Sequence, residues 1–211
     1  MEVPPVLPVM ILPQATLFPG AMMPLYIFEP RYRRMLADAL DTHRMFSIAQ
    51  QRPGLTGEIP EKVAGLGLIR ASVLRPDGTS NLVLEGITRL VLGNHVPGKP
   101  YRLQRAKPLP EPSEDCGVVA VALMDKAREL AGQLVRAGAL ATTPAGPPSP
   151  TKFLRHLHEI AEPGPLADFL AATLLNNPRQ QQQVLETLSL VDRLRALVHF
   201  LIAQLPDDPQ D

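Results

Sequence analysis

The chain has 211 residues, 45% of them hydrophobic but only 4% aromatic, so it can bury a sizeable core yet lacks the rings from which single-stranded nucleic-acid binders build stacking platforms. Its 21 basic and 21 acidic residues cancel, but unevenly: the first 110 residues are net basic and the remainder net acidic. Cys116 is the single cysteine, which excludes an intramolecular disulfide and a CxxC zinc cluster, and no uncharged apolar run approaches the roughly 20 residues that a membrane span requires.

In chain order, Val6 to Met10 is predicted to be an edge strand, because Pro8 cannot donate to a ladder. Pro19-Gly20 turns the chain into an apolar strand over 21–28, and Glu29-Pro30 starts a helix with proline at its first position. Helical spacing puts Tyr32, Met35, Leu36 and Leu40 on the inner face and leaves Arg33, Arg34 and Asp38 in water. A strand over 45–50 precedes a loop carrying Pro53, Gly54, Gly57 and Pro60. The strands 64–74 and 80–92 form a hairpin about Arg75-Pro76-Asp77-Gly78-Thr79, where proline presets the first turn torsion and glycine accepts a positive φ. Gly86 predicts a bulge or bend in the second of them, and a last strand runs from Tyr101 to Lys107. Several strands with one short helix predict a small antiparallel barrel over 1–110.

The pattern changes at Pro108-Leu109-Pro110-Glu111-Pro112, and 111–211 reads as a helical subdomain. Ser113 is the expected cap of a long helix reaching about Ala137, with Gly138 ending it. Residues 142–150, TTPAGPPSP, are expected to form a mobile loop. A short helix is marked by Phe153, Leu154, Leu157 and Ile160, and another begins near Pro165 and buries Leu166, Phe169, Leu170 and Leu174. Asn177-Pro178 is a cap followed by proline, and Ser189-x-x-Asp192 resembles a capping box that opens the last helix.

The run Leu17-Phe18-Pro19-Gly20 followed by Pro24-Leu25-Tyr26-Ile27-Phe28-Glu29-Pro30-Arg31-Tyr32-Arg33-Arg34-Met35-Leu36 resembles the opening of the Lon protease N-terminal domain. It is seconded by Gly65-Leu66-Gly67, Leu84-Glu85-Gly86-Ile87-Thr88-Arg89, Pro100-Tyr101, Gly164-Pro165-Leu166-Ala167-Asp168 and the segment from Leu185 to Leu194. The resemblance implies an α+β fold: an N-terminal pseudo-barrel of the PUA-like class with one short helix, followed by a C-terminal helical bundle packed against it. It also implies a free-standing substrate-binding domain, since the chain ends about where a full-length Lon would enter its ATPase. No G-x-x-x-x-G-K-[ST] loop occurs, nor anything similar to the Lon Ser-Lys peptidase segment, so ATP-dependent proteolysis does not carry over and no catalytic residue is expected.

The expected activity is therefore binding of unfolded or damaged polypeptide, as an adaptor or holdase beside a protease or chaperone. No cofactor and no metal are expected. His156 and His158, two apart on a helix, face apart, and His43, His95 and His199 show no ligand spacing. Leu17, Phe18, Met22, Tyr26 and Phe28 are the candidate substrate-binding residues, because alternation sends Met22, Pro24, Tyr26 and Phe28 to one face of their strand and Met23, Leu25 and Ile27 to the other. Glu29, Arg31, Tyr32, Gly67, Gly86 and Arg89 are read as structural: Glu29 capping the helix, Arg31 pairing with a carboxylate, Tyr32 packing under the sheet. Cys116, near a helix start, reads as a packed residue rather than a reactive thiolate. With no leader-like N-terminus, the cytoplasm is the expected compartment and a membrane is not an expected partner. The alternative is a PUA-like RNA-binding protein that uses Arg31, Arg33, Arg34 and Arg44, although nucleic acid is disfavoured by the neutral chain and scarce aromatics.

Overall fold

The computed structural model describes residues 2–54, 56–110, 112, 117–140 and 149–205. It divides into two compact units, Met1–Pro110 and Glu111–Asp211.

The first unit contains strands β1 (Val6–Leu12), β2 (Met22–Ile27), β3 (Met45–Gln50), β4 (Val63–Leu74), β5 (Ser80–Val96) and β6 (Arg102–Pro108), with helix α1 (Pro30–Leu40) between β2 and β3. The strand order is β2-β5-β4-β3-β1-β6, and β5 pairs again with β6. Five strands thereby close into a ring, and β2 stands outside it. The 17-residue β5 makes this possible by serving two partners in succession: its first part pairs with β2 through Ser80 to Glu85, and its second with β6 through Leu90 to Val96. A shift in the β4–β5 register falls at Leu66/Gly67, opposite Gly86, where the bend was expected.

Two expectations about the sheet are corrected. It is mixed rather than antiparallel, since β1 and β3 run parallel. Nor is β1 an edge strand: it lies between β3 and β6. Pro8 is tolerated there because pairing with β3 begins only at Val9, and the Ser47 hydroxyl donates to the Pro8 carbonyl at 3.3 Å.

Two apolar clusters fill the unit. One joins Leu17, Ile27, Leu82 and Leu84 to Tyr32, Met35, Leu36 and Ala39 of α1; the other joins Leu7, Val9, Leu66 and Leu90. Ala39 takes the buried place expected of Leu40, which is half-buried. The helix ends in a turn that places Arg44 at φ 57°, with its N–H on the Ala39 carbonyl at 2.8 Å and its guanidinium on the Ile69 carbonyl at 3.3 Å. Leu17 and Phe18 cross the sheet so closely that their carbonyls rest on Gly65 and Gly86, where a Cβ would stand 2.0 and 1.9 Å from the Leu17 and Phe18 oxygens.

The second unit is built from α2 (Val118–Arg136), α3 (Pro150–Glu159), α4 (Pro163–Leu174), α5 (Pro178–Glu186) and α6 (Leu190–Ile202). The first of these starts after Gly117, later than expected; Ser113 and Cys116 lie outside the described residues. Gly138 ends it at φ 83°. Of the segment 142–150, only Ser149 and Pro150 are described, and they cap and open α3 rather than forming loop. Asn177 and Ser189 cap α5 and α6 through their side chains. Within this unit α6 packs on α2 and α4, and its Arg193 is fully buried with a guanidinium nitrogen 3.5 Å from Asp168 and bonds to the Thr187 and Leu188 carbonyls.

Candidate functional site

The alternation expected of β2 is present. Ile27 is buried and Met23 and Leu25 pack against the core, whereas Met22, Tyr26 and Phe28 are 57%, 49% and 58% exposed. Leu17 and Phe18 are withdrawn from the candidate set: both are fully buried, because the segment ahead of β2 is pressed onto Gly65 and Gly86 instead of lying open. The exposed side chains have neighbours across the ladder. Pro24 lies beside Val83 and then Ala71, and Tyr26 beside Asn81 and then Val73. Val73 is 64% exposed and shares the face of Tyr26, so the outer face of β2, β5 and the end of β4 carries a run of apolar side chains. Sequence periodicity could not assemble it, since Val73 and Val83 join β2 only through strand pairing.

Two features stiffen this surface. Tyr26 and Phe28 stack with ring centroids 5.8 Å apart, and the Arg75 guanidinium sits 5.5 Å from the Tyr26 ring. The Asn81 carboxamide oxygen accepts from Arg75 at 2.9 Å, which holds that guanidinium at the patch margin. Beside β2 opens a small cleft of about 80 Å³, lined by Met10 and Leu12 of β1, Leu25 to Glu29, and Tyr32 of α1.

The residues read as structural have the following surroundings, and one of them is corrected. Glu29 is the N-cap residue of α1, but its carboxylate makes no cap bond and instead accepts from Arg31 Nε at 2.9 Å. Arg31 also makes a forked pair with Glu58, at 2.5 and 2.6 Å. That pairing holds the Glu58 carboxyl below its ordinary range and raises Arg31 further. Burial pushes up the Tyr32 phenol, whose hydroxyl lies 3.4 and 3.5 Å from the Ile11 nitrogen and oxygen. Gly67 faces the Leu84 side chain, where a Cβ would come within 2.4 Å, and Arg89 is buried with its carbonyl accepting from Leu109 N–H. None of these groups forms a nucleophile and base pair.

The four arginines grouped near α1 are not one open basic face. Arg31 is held by Glu29 and Glu58, Arg34 pairs with Asp38 at 2.9 Å, and Arg44 turns to the Ile69 carbonyl. Arg33 lies against Gly78 of the β4–β5 turn. Among the described residues no three His, Cys, Asp or Glu gather as a metal site, and no helix is long and apolar enough to cross a membrane.

A family model described as the ATP-dependent protease La (LON) substrate-binding domain matches residues 6–203. Among curated proteins, the chain is similar to the Lon protease of Dictyoglomus thermophilum, 25% identical over 207 residues, covering 97% of this chain and 25% of that one. It is 28% identical over 194 residues to the Lon protease of Phenylobacterium zucineum, covering 90% of this chain and 23% of the relative. The chain thus spans about a quarter of the length of the curated relatives it matches. Of solved structures, the N-terminal domain of a Mycobacterium avium complex Lon protease superposes with a TM-score of 0.75 at 19% identity, covering 95% of this chain and all of that one. A Lon N-terminal domain protein from Xanthomonas campestris gives 0.64 at 19% identity, with 95% and 99% covered.

Proposed function

The chain belongs to the Lon substrate-binding domain family, and from that premise we propose that it binds apolar segments of unfolded or damaged polypeptide through the outer face of β2. The observation that carries this reading is the exposed set Met22, Tyr26 and Phe28, extended across the ladder by Val83 and Val73. Scattered exposed apolar residues are ordinary, but a contiguous stiffened patch is a binding surface. The exposed Met22 suits a surface that accepts varied side chains. The protein works as an adaptor or holdase in the cytoplasm, handing clients to a protease or chaperone with no turnover of its own. The matched region is the substrate-binding domain, and no catalytic constellation stands among the described residues at the patch.

The basic-face alternative is weakened by the pairing of Arg31 and Arg34 with carboxylates, since phosphate binding would first have to break those pairs. The test is fluorescence anisotropy of a labelled, permanently unfolded polypeptide, beside its folded counterpart and a single-stranded RNA, at low and moderate salt. Saturable binding of the unfolded chain alone, persisting at moderate salt, is expected. Binding of RNA alone, fading with salt, would overturn it.

A further inference from the structure

We infer that the polypeptide is held as an added strand along the outer edge of β2, with one aliphatic side chain seated in the cleft beside it. This rests on the reading above and says how the client is held. The direction of the main-chain groups follows from one bond. Gly86 N–H donates to the Ala21 carbonyl at 2.8 Å, so Ala21 faces β5. Main-chain groups alternate along a strand, so Met23, Leu25 and Ile27 also face β5, and Met22, Pro24, Tyr26 and Phe28 turn theirs outward. Among the described residues β2 pairs with β5 alone. Its outward edge therefore offers donors and acceptors whose complement is an extended main chain, not a helix, whose own groups are satisfied.

The cleft lies on the same side. It is bounded by Leu25 to Glu29 of the β2 end and, opposite, by Met10 and Leu12 of β1. There β6 has already stopped, its last rung on β1 being Arg102 with Val9. The next rung, Ile11, is covered by the Tyr32 hydroxyl. An incoming strand thus finds one open edge, that of β2, and a floor made by Tyr32. Alternate side chains would then point into the apolar cleft and out beside the Tyr26–Phe28 stack. Pro24 limits the arrangement: it has no N–H to offer at the middle of the edge, so pairing is confined to short stretches at Met22 and at Tyr26 to Phe28. Recognition is consequently brief and tolerant of sequence, which fits a module that must release what it holds. The preferred segment has apolar residues at every second position.

Backbone N-methylation separates this mode from capture by side chains. The probe is a fluorescein-labelled ten-residue peptide of alternating valine and serine with terminal lysines, titrated with the full chain, together with two versions methylated on the valine or on the serine nitrogens. Methylating one set should weaken binding about tenfold, because it removes bonds to β2, while the other set, whose N–H groups point away, changes it less than about twofold. With the valines seated in the cleft, the sensitive set reports the direction of the added strand: serine for antiparallel, valine for parallel. Equal effects from both sets, or none from either, overturn edge pairing. If the unfolded polypeptide still binds in that case, the binding reading stands without the edge; if neither it nor the peptide binds, both fall.

Discussion

Gly86 and Phe18 are so close that a Cβ on the glycine would stand 1.9 Å from the Phe18 carbonyl oxygen. The contact is reinforced on both sides of the glycine, with Gly20 N–H donating to its carbonyl and its own N–H donating to Ala21. Since the opposing atom is backbone, nothing flexible can yield. Gly86→Ala should lower stability by about 3 kcal/mol, the upper part of the range for overpacked sites, measured by urea unfolding. A change below about 0.5 kcal/mol would show that the crossing segment gives way freely.

Surface and core roles on adjoining residues should separate cleanly. The triple variant Met22→Ser, Tyr26→Ser, Phe28→Ser is expected to abolish binding of the unfolded polypeptide while costing little stability, about 0.5 kcal/mol per exposed site. Leu17→Ala, at a fully buried position, is expected to cost about 2–5 kcal/mol. Unfolding curves and anisotropy titrations on the same preparations check both, and undiminished binding by the triple variant would move the site elsewhere.

Pro24 stands at the middle of an open strand edge, where a missing donor discourages pairing with a second copy. Pro24→Val restores that donor. The variant should self-associate at concentrations where the parent does not, as followed by sedimentation velocity. A variant that stays identical to the parent in sedimentation would mean that something other than Pro24 guards the edge.

The Asp38 carboxylate accepts from Lys99 Nζ at 2.8 Å and Tyr101 hydroxyl at 2.7 Å, with Arg34 at 2.9 Å. Lys99, then Tyr101, hold its carboxyl below the ordinary value, and Arg34 adds to this. A depressed folded value makes the contribution fully present above the ordinary carboxylate value and lost as pH falls through the folded one. Asp38→Asn should therefore be less stable than the parent near neutrality, with the gap narrowing in acid. Urea unfolding at several pH values would show a constant gap if the carboxylate charge were irrelevant.

Arg193 and Asp168 form a fully buried pair in the helical unit. Asp168→Ala removes the carboxylate from a buried guanidinium and should cost about 3–5 kcal/mol, whereas replacing both residues with leucine recovers much of that loss. A single variant as stable as the parent, in thermal unfolding, would show that the main-chain carbonyls suffice for Arg193.

Local signals carried well because they depend on neighbours in sequence. The Arg75–Thr79 turn, the proline-led start of α1, the Asn177 and Ser189 caps and the Gly138 stop all rest on torsions and bonds spanning a few residues. Placement in the sheet did not carry. Pro8 pointed to an edge, yet a strand can hold a proline internally when its ladder starts one residue later. The candidate site divided in the same way. Alternation within β2 identified Met22, Tyr26 and Phe28, but hydrophobicity alone could not tell them from Leu17 and Phe18, which a close crossing over two glycines buries. Glu29 was found at the cap position, while its partner Arg31 drew the carboxylate away from the backbone.

The ring of five strands closes through β5 and β6 without help from β2. Mutational drift at the outward positions of β2 is accordingly decoupled from closure of the barrel. Exchanges at Met22, Tyr26 and Phe28 therefore carry little structural risk, whereas Gly65 and Gly86, which dock the approach to that strand, leave no room for a larger side chain.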